Sequence, residues 1–368
     1  MKIIHFVLGK ANPNKANGVN QVVHNIAESL QESKVNIEVW GLTQDIYSST
    51  PERSYKLKLF NLDKFFYTIS DDLKKNIMNL EKDDWVHFHG ALIPVFSRIA
   101  KILKGNKIKY TVTAHGNLQP LKLYSLKKKV VFMLYEKSLY SNAHRIHSFS
   151  NYEKNYMKNY FHTIQDSQFC IIPNGVSLSL VKQRDFKNIK NEVTFCGRLN
   201  YREKGVDYLI KGFIQYLKNG GVYKLNIIGD GPVRKECEDL VEKANLKDKV
   251  TFYGSLFGSE KNNVFSQSKF YIQPSLSEGM AISVIEANAM GIPSIISEAT
   301  GCADYILKHK CGFIVQPNCA DIFRILNEIE QISEKDYYEK CINAQNMVLN
   351  ELNWKAISQK YCKELYAL

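Results

Sequence analysis

Two glutamates, Glu278 and Glu286, stand in the stretch SEGMAISVIEANAMGIPS, which is otherwise free of charge. Upstream, FCGRLNYREKGVDYLI places Arg198 just after a predicted strand and Lys204 just before a predicted helix. Two cations about one loop apart, beside helix-start amides, neutralise a diphosphate from both sides and donate to several of its oxygens. Glu278 falls on a turn, Gly279 lets the backbone approach a ligand, and Glu286 lies on the second turn of a helix predicted to start near Ala281 or Ile282. Two carboxylates flanking free amides suit a molecule with hydroxyls at both ends and a diphosphate in the middle, which is the chemistry of a nucleotide sugar. Taken alone, the same residues also fit a capping glutamate, a surface glutamate and two solvated loop cations.

The histidines form a second group. VHFHG puts His87 and His89 on one face of a strand end, and TAHG places His115 at the end of the following strand. Such residues serve either as ligand contacts or as hydrogen-bonded structural histidines. A metal site there lacks a third carboxylate or cysteine nearby, and the chain contains no D-x-D pair, so no metal is expected. The first strand ends in GKANPNKANGV, whose glycine and asparagines let helix-start amides near Gly18 approach a phosphate or a sugar. This loop is not the G-x-G-x-x-G fingerprint, which disfavours a nicotinamide dehydrogenase. IIGDGP supplies a tight turn at 229–231, including Gly231, into another helix.

The elements that must position these residues alternate along the chain. KIIHFVLG, NIEVWGL, DWVHFHG, KIKYTVTAHG, RIHSFS and FCIIPNG predict strands, separated by helices that include GVNQVVHNIAESLQ, 92–104 and 126–140. After the lysine-rich stretch SLVKQRDFKNIKNE the pattern resumes with VTFCGRL, YKLNIIGDGP, VTFYGSL, FYIQPS, PSIIS and GFIV, again with helices between, among them one over 205–218. Repeated βαβ units predict two doubly wound parallel sheets, an α/β class. The expected organisation is a first Rossmann-like domain at 1–180, a linker at 181–191, a second domain at 192–353 and a terminal helix at 354–368. Ligands of such sheets bind beyond the C-terminal strand ends, so with two sheets facing one another the cleft between them is the expected site.

Composition narrows the function classes. Hydrophobic residues make up 45% and charged residues 23% of the 368, a folded rather than disordered balance. The eight cysteines are scattered, with no C-x-x-C pair or zinc spacing, and are expected as reduced thiols. The opening MKIIHFVLGK is too short an apolar run for a signal peptide, and no other segment approaches a bilayer span, so a cytosolic or peripheral protein is expected. The net charge of +12 is uneven: residues 1–180 hold 24 Lys and Arg against 14 Asp and Glu, and residues 181–368 hold 25 against 23. Between Arg98 and Lys137 stand ten basic residues, including Lys122, Lys127, Lys128 and Lys129, and one acid, Glu136. That cluster is either a solvated face or a surface for an anionic membrane or polyanionic substrate. No nucleic-acid-reading motif accompanies it.

Taken in order, NGV, HFHG, TAHG, IIPNGV, FCGRLNYREKGVDYLIKGF, IIGDGP, VTFYGSL and PSLSEGMAISVIEANAMGIPSIIS make nearly the whole chain resemble the group 1, or family 4, retaining glycosyltransferases of GT-B fold. The resemblance implies that Arg198 and Lys204 bind the donor diphosphate, Glu278 the donor sugar and Glu286 the ribose hydroxyls. It places Gly18 near the phosphates, His115 near the transferred sugar, and backbone amides of Gly279, Met280, Ala281, Ile282 and Ser283 around the diphosphate. It implies no metal or other cofactor, and a terminal helix from about Trp354 that crosses back to the first domain. The run TAHGNLQPLKLYSLKKKVVFMLYEKSLYSNAHRIHSFS looks like the subset that builds bacterial surface polysaccharides, where His89, Asn117 and the nearby lysines face the acceptor. Gly279-Met280-Ala281 stands where Gly-Phe-Gly is frequent, Ser177 where Asp is common and Asn17 where a second glycine is common, which bears on sugar identity more than on fold.

The expected function is therefore transfer of a sugar, from a UDP-sugar in preference to GDP-mannose, to a lipid-diphosphate-linked glycan at the inner face of the cytoplasmic membrane. A nucleotide-sugar epimerase of the same fold and a non-catalytic membrane- or polyanion-binding protein are the alternatives.

Overall fold

β-Branched and aromatic runs fold as strands that pair only in parallel, because the connections between them, most of them helical, carry the chain back across the sheet before the next strand begins. The computed structural model describes residues 1–13, 18–119 and 125–368, so Asn17 and Lys122 lie outside the described residues. The chain divides into two units, Met1–Asn174 with Trp354–Leu368, and Gly175–Asn353.

The first unit holds β1 (Ile3–Leu8), β2 (Ile37–Thr43), β3 (Lys56–Asn61), β4 (Trp85–His89), β5 (Lys109–Thr113), β6 (Arg145–Ser148) and β7 (Phe169–Ile171), in the order β3-β2-β1-β4-β5-β6-β7. The second holds β8 (Lys190–Cys196), β9 (Lys224–Ile228), β10 (Val250–Gly254), β11 (Ser268–Gln273), β12 (Ser294–Ile296) and β13 (Gly312–Ile314), in the order β10-β9-β8-β11-β12-β13. Strand order reverses once in each sheet, between β1 and β4 and between β8 and β11. Loops leaving the two strands at such a reversal diverge and open a crevice, which is where doubly wound sheets bind ligands.

The two faces of the first sheet differ in chemistry. Phe6, Phe88, Val112 and Ile146 join Trp40 and Phe96 in an apolar core. His5, His87, Thr113 and His147 alternate with them and are also fully buried. Tyr361 and Tyr366, from a π-helical turn after the helix Trp354–Lys360, close over this polar face. That terminal helix is held to the helix Gly18–Glu32, with Ser29 Oγ donating to the Trp354 carbonyl at 2.8 Å.

Several elements differ from the sequence reading. β3, with lysine and leucine alternating in KLKLFN, and the helices Asp71–Met78 and Asn151–Lys158 were not anticipated. The helix expected over 126–140 is interrupted by a π turn at Phe132–Glu136, and that over 205–218 runs Val206–Lys218, preceded by a short helix, Tyr201–Lys204, that was not anticipated and that ends at Gly205, whose φ is +61°. The boundary between the units falls at Asn174–Gly175, and residues 181–191 are tied into the second unit. Arg184 is buried there and donates to the Met290 carbonyl at 3.3 Å and the Tyr337 hydroxyl at 3.0 Å, which fastens a polar stretch that composition alone marks as a linker. All eight cysteines are free thiols. Among the described residues, no helix is long and apolar enough to cross a membrane.

Glu136 is fully buried, and one carboxylate oxygen accepts from the Ile93 amide at 3.3 Å. Burial pushes its pKa up from 4.5 to about 8. Between those two values the unfolded chain has lost the proton that the folded chain keeps, so stability falls as pH rises through that window. Glu136→Gln is therefore expected to raise the melting temperature at pH 8 and to change it little at pH 4; an equal shift at both would contradict a buried, protonated carboxyl.

Candidate functional site

In the second unit the crevice is built by the loops after β8 and β11. Gly205 caps the short helix Tyr201–Lys204 in the left-handed region, and a Cβ there would stand 2.4 Å from the Pro274 carbonyl oxygen. Only glycine lets the two loops come this close. The Glu203 carbonyl then accepts from the amides of Leu276 at 2.8 Å and Ser277 at 3.1 Å, which clamps one loop to the other. Lys204 consequently forms an ion pair with Glu278, and the two side chains retain only 17% and 14% of their exposure.

A buried amide fixes the glutamate. Gln273, the last residue of β11, donates from Nε2 to Glu278 Oε1 at 2.8 Å and to Ser275 Oγ at 3.2 Å. Ser275 Oγ donates to the same carboxylate oxygen at 3.0 Å. The other end of the Gln273 amide accepts from Ser283 Oγ at 2.9 Å, and Ser283 also meets the Tyr271 hydroxyl at 2.8 Å. This network ties the turn holding Glu278 to the first turn of the helix Ile282–Ala289. No side chain caps that helix at Ala281, so the amides of Ile282 and Ser283 remain as donors and the helix dipole favours negative charge there, whereas the Ala281 amide, expected among the diphosphate donors, donates to the Thr300 carbonyl at 2.9 Å.

Glu286, one turn further on, is held by a residue that sequence reasoning missed. Lys261, on the helix Gly258–Gln267, lies 2.8 and 2.7 Å from its two carboxylate oxygens. Arg198, on the loop after β8, is exposed and has no partner among the described residues. Gly231 faces the same loop: a Cβ there would stand 2.3 Å from the Leu199 carbonyl oxygen, so its smallness makes room for the Arg198 segment. Burial raises the Cys196 thiol to about 12, which leaves no thiolate nucleophile beside the site.

In the first unit His89 and His115 meet, with Nδ1 and Nε2 at 2.9 Å. His115 adopts a φ of +53°, an uncommon backbone for a side-chain-bearing residue and one that turns the chain sharply after β5. The next amide, Gly116, donates to buried Glu153 at 2.7 Å. Asn117 lies in the same turn, half-buried. Among the described residues, His5, His87 and His89 bring ring nitrogens within 4.8 Å of one another, close enough for a metal ion, but each of those nitrogens already has a hydrogen-bond partner. Gly18 opens its helix with nothing within 4 Å of a built Cβ. Lys127, Lys128 and Lys129 lie on the helix Leu126–Val131 beside exposed Leu126, Val130, Met133 and Leu134.

Comparison with known proteins accounts for both halves. The family described as Glycosyltransferase Family 4 matches residues 16–180, and that described as Glycosyl transferases group 1 matches residues 179–347. The chain belongs to the group 1 glycosyltransferases. An uncharacterised glycosyltransferase of Methanocaldococcus jannaschii is 32% identical over 160 residues, which is 40% of this chain and only 40% of the archaeal protein. The UDP-Gal:alpha-D-GlcNAc-diphosphoundecaprenol alpha-1,3-galactosyltransferase of Escherichia coli is 25% identical over 295 residues, 74% of each chain. The Anabaena protein HepE, solved in complex with UDP, has a TM-score of 0.78 at 16% identity, covering 100% of both chains. That structural likeness establishes the GT-B fold.

Within this glycosyltransferase, the structure joins Lys204 to Glu278 and His89 to His115, and places Arg198 on the same loop as Lys204. Lys261, Gln273 and Tyr271 were missed. Gln273 had one signal, a polar residue ending an apolar strand just before Pro274; Lys261 had none, since it sits among polar helix residues. Gly205→Ala is expected to destabilise the protein by about 1–3 kcal/mol in urea unfolding, because a left-handed residue gains a Cβ against a carbonyl. An unchanged midpoint would mean that the two loops are not held at this distance.

Proposed function

We propose that this protein transfers a sugar from a nucleoside-diphosphate sugar, a UDP-sugar in preference, to a lipid-diphosphate-linked glycan, with retention of configuration and without a metal. The observation that carries the reading is the assembly of Lys204, Glu278 and an uncapped helix start at the strand-order reversal of the second unit, with unpaired Arg198 on the adjoining loop. A departing diphosphate needs charge neutralisation most when its bond to the sugar breaks. Arg198, Lys204 and the amides of Ile282 and Ser283 supply that stabilisation in the transition state. Glu278 holds donor-sugar hydroxyls and Glu286 the ribose diol, with Lys261 balancing Glu286 until the diol arrives. The acceptor hydroxyl attacks from the side on which the diphosphate leaves, and no enzyme carboxylate becomes a covalent nucleophile.

The E. coli relative is named for a UDP-sugar donor and a diphosphoundecaprenol-linked acceptor, which supports those choices. A lipid-linked acceptor places the enzyme at the inner face of the cytoplasmic membrane as a peripheral protein. The exposed Leu126, Val130, Met133 and Leu134 interleaved with Lys127, Lys128 and Lys129 suit an anionic bilayer surface. Glu136, protonated by burial at neutral pH, does not offset that charge.

Incubating the protein with a panel of UDP- and GDP-sugars and a bacterial lipid extract, in EDTA, is expected to release nucleoside diphosphate from one donor. Lys204→Ala is expected to lower that turnover at least a hundredfold, roughly the loss of one charge-stabilising donor at the transition state. Near-normal turnover in the variant, or sugar conversion without nucleotide release, would reject the mechanism, the latter in favour of an epimerase. Neutralising Lys127, Lys128 and Lys129 together is expected to weaken binding to phosphatidylserine vesicles on the order of a hundredfold, at about 1 kcal/mol per lysine. Unchanged co-sedimentation would remove the membrane role of this helix.

A further inference from the structure

Five buried or half-buried histidines of the first unit share one continuous hydrogen-bond chain. It starts at the Ile172 carbonyl, which lies 2.8 Å from His147 Nε2. His147 Nδ1 is 2.8 Å from Thr113 Oγ1, and Thr113 Oγ1 is 2.6 Å from His87 Nε2. His87 Nδ1 is 2.7 Å from the Tyr366 hydroxyl, which is 2.9 Å from His5 Nε2. His5 Nδ1 is 3.0 Å from His89 Nε2, and His89 Nδ1 is 2.9 Å from His115 Nε2. His115 Nδ1 has no partner among the described residues. Tyr361 sets its hydroxyl 3.4 and 3.5 Å from the two His147 nitrogens, too far to compete with either bond.

A carbonyl can only accept, and that decides the direction of every other bond. His147 Nε2–H donates to Ile172, so His147 Nδ1 accepts from Thr113, whose oxygen accepts from His87 Nε2–H. His87 Nδ1 accepts from Tyr366, whose oxygen accepts from His5 Nε2–H. His5 Nδ1 accepts from His89 Nε2–H, and His89 Nδ1 accepts from His115 Nε2–H. Each member contributes one proton and each gap holds one, so an additional proton has no place between members and could sit only on the open Nδ1 of His115. Burial acts the same way: it lowers His5 and His115 to about 3 and His147 to about 4, and holds His87 and His89 well below their usual value.

We propose that Thr113 and Tyr366 are positioning residues which, through this chain, hold His115 in its Nε2–H tautomer, so that its Nδ1 accepts a hydrogen bond from a substrate hydroxyl and cannot donate to a phosphate oxygen. The substrate contact rests on the reading of this protein as a sugar transferase; the tautomer does not. The terminal segment thereby sets the chemistry of a residue about 250 positions earlier in the chain, because its hydroxyl joins the two halves of the relay.

Histidine tautomers are read directly from the two ring-nitrogen shifts in 15N NMR. All five residues are expected as Nε2–H in the wild type. Thr113→Val removes the acceptor of His87 Nε2–H. Reversing every bond from His87 to His115 relieves that buried donor, so His115 is expected to carry its proton on Nδ1. With the acceptor turned into a donor, kcat/KM is expected to fall about tenfold while nucleoside-diphosphate affinity stays unchanged, and Thr113→Ser is expected to restore both tautomer and rate. Tyr366→Phe, a second break, is expected to reverse only His5, His89 and His115. Wild-type His115 protonated on Nδ1, or unchanged tautomers in both variants, would overturn the proposal. A reversed tautomer with unchanged kcat/KM would overturn the substrate contact of His115, whereas absence of transfer with every donor would count against the transferase reading and leave the tautomer result standing.

Discussion

A polar side chain at the centre of a doubly wound sheet has no access to water and must find its partner inside the same unit. Both units of this protein place such groups near the central strand ends and satisfy them locally. In the second unit a single buried amide, Gln273, joins Glu278, Ser275 and Ser283. In the first, imidazoles and hydroxyls satisfy one another in series. Leaving any one of these groups unpaired costs about 1–3 kcal/mol, so the networks rigidify the residues at their ends.

Charge follows the same rule. Two carboxylates of the second unit each carry a resident ammonium group, Lys204 on Glu278 and Lys261 on Glu286, all four partly buried. A partly buried carboxylate without a counter-charge is unfavourable, and the pairs remove that cost while keeping the groups in place. In the proposed reaction, a donor that brings hydroxyls to the glutamates and phosphates to Lys204 would exchange these pairs for its own contacts. Arg198, by contrast, is exposed and unpaired among the described residues, so its charge is available without displacement.

Much of this was legible in the residue pattern. Period-two runs separated by helical segments marked both parallel sheets, and strand-end positions of Arg198, Glu278 and His115 followed from them. β3 was missed because KLKLFN alternates lysine with leucine at a sheet edge, where one face is solvated. The stretch 181–191 looks like a linker because its lysines and asparagines carry no periodicity, yet one guanidinium buried against backbone carbonyls anchors it. The short helix Tyr201–Lys204 was hidden since its four residues make about one turn, too few to show a helical period.

By itself, the sequence determined the α/β class, the βαβ succession and the residue types at the strand ends, because these depend on local periodicity and on where a turn must follow a strand. Only the tertiary structure decided which partners those residues meet. Lys261 reaches Glu286 from another helix, Gln273 meets Glu278 across a turn, and Tyr366 joins His5 to His87 from the far end of the chain. Partner choice of this kind depends on strand order and on the approach of loops at Gly205 and Pro274. Neither leaves a signature in the spacing of residues along the chain, because the contacts are made between segments whose separation in sequence carries no information about their distance in space.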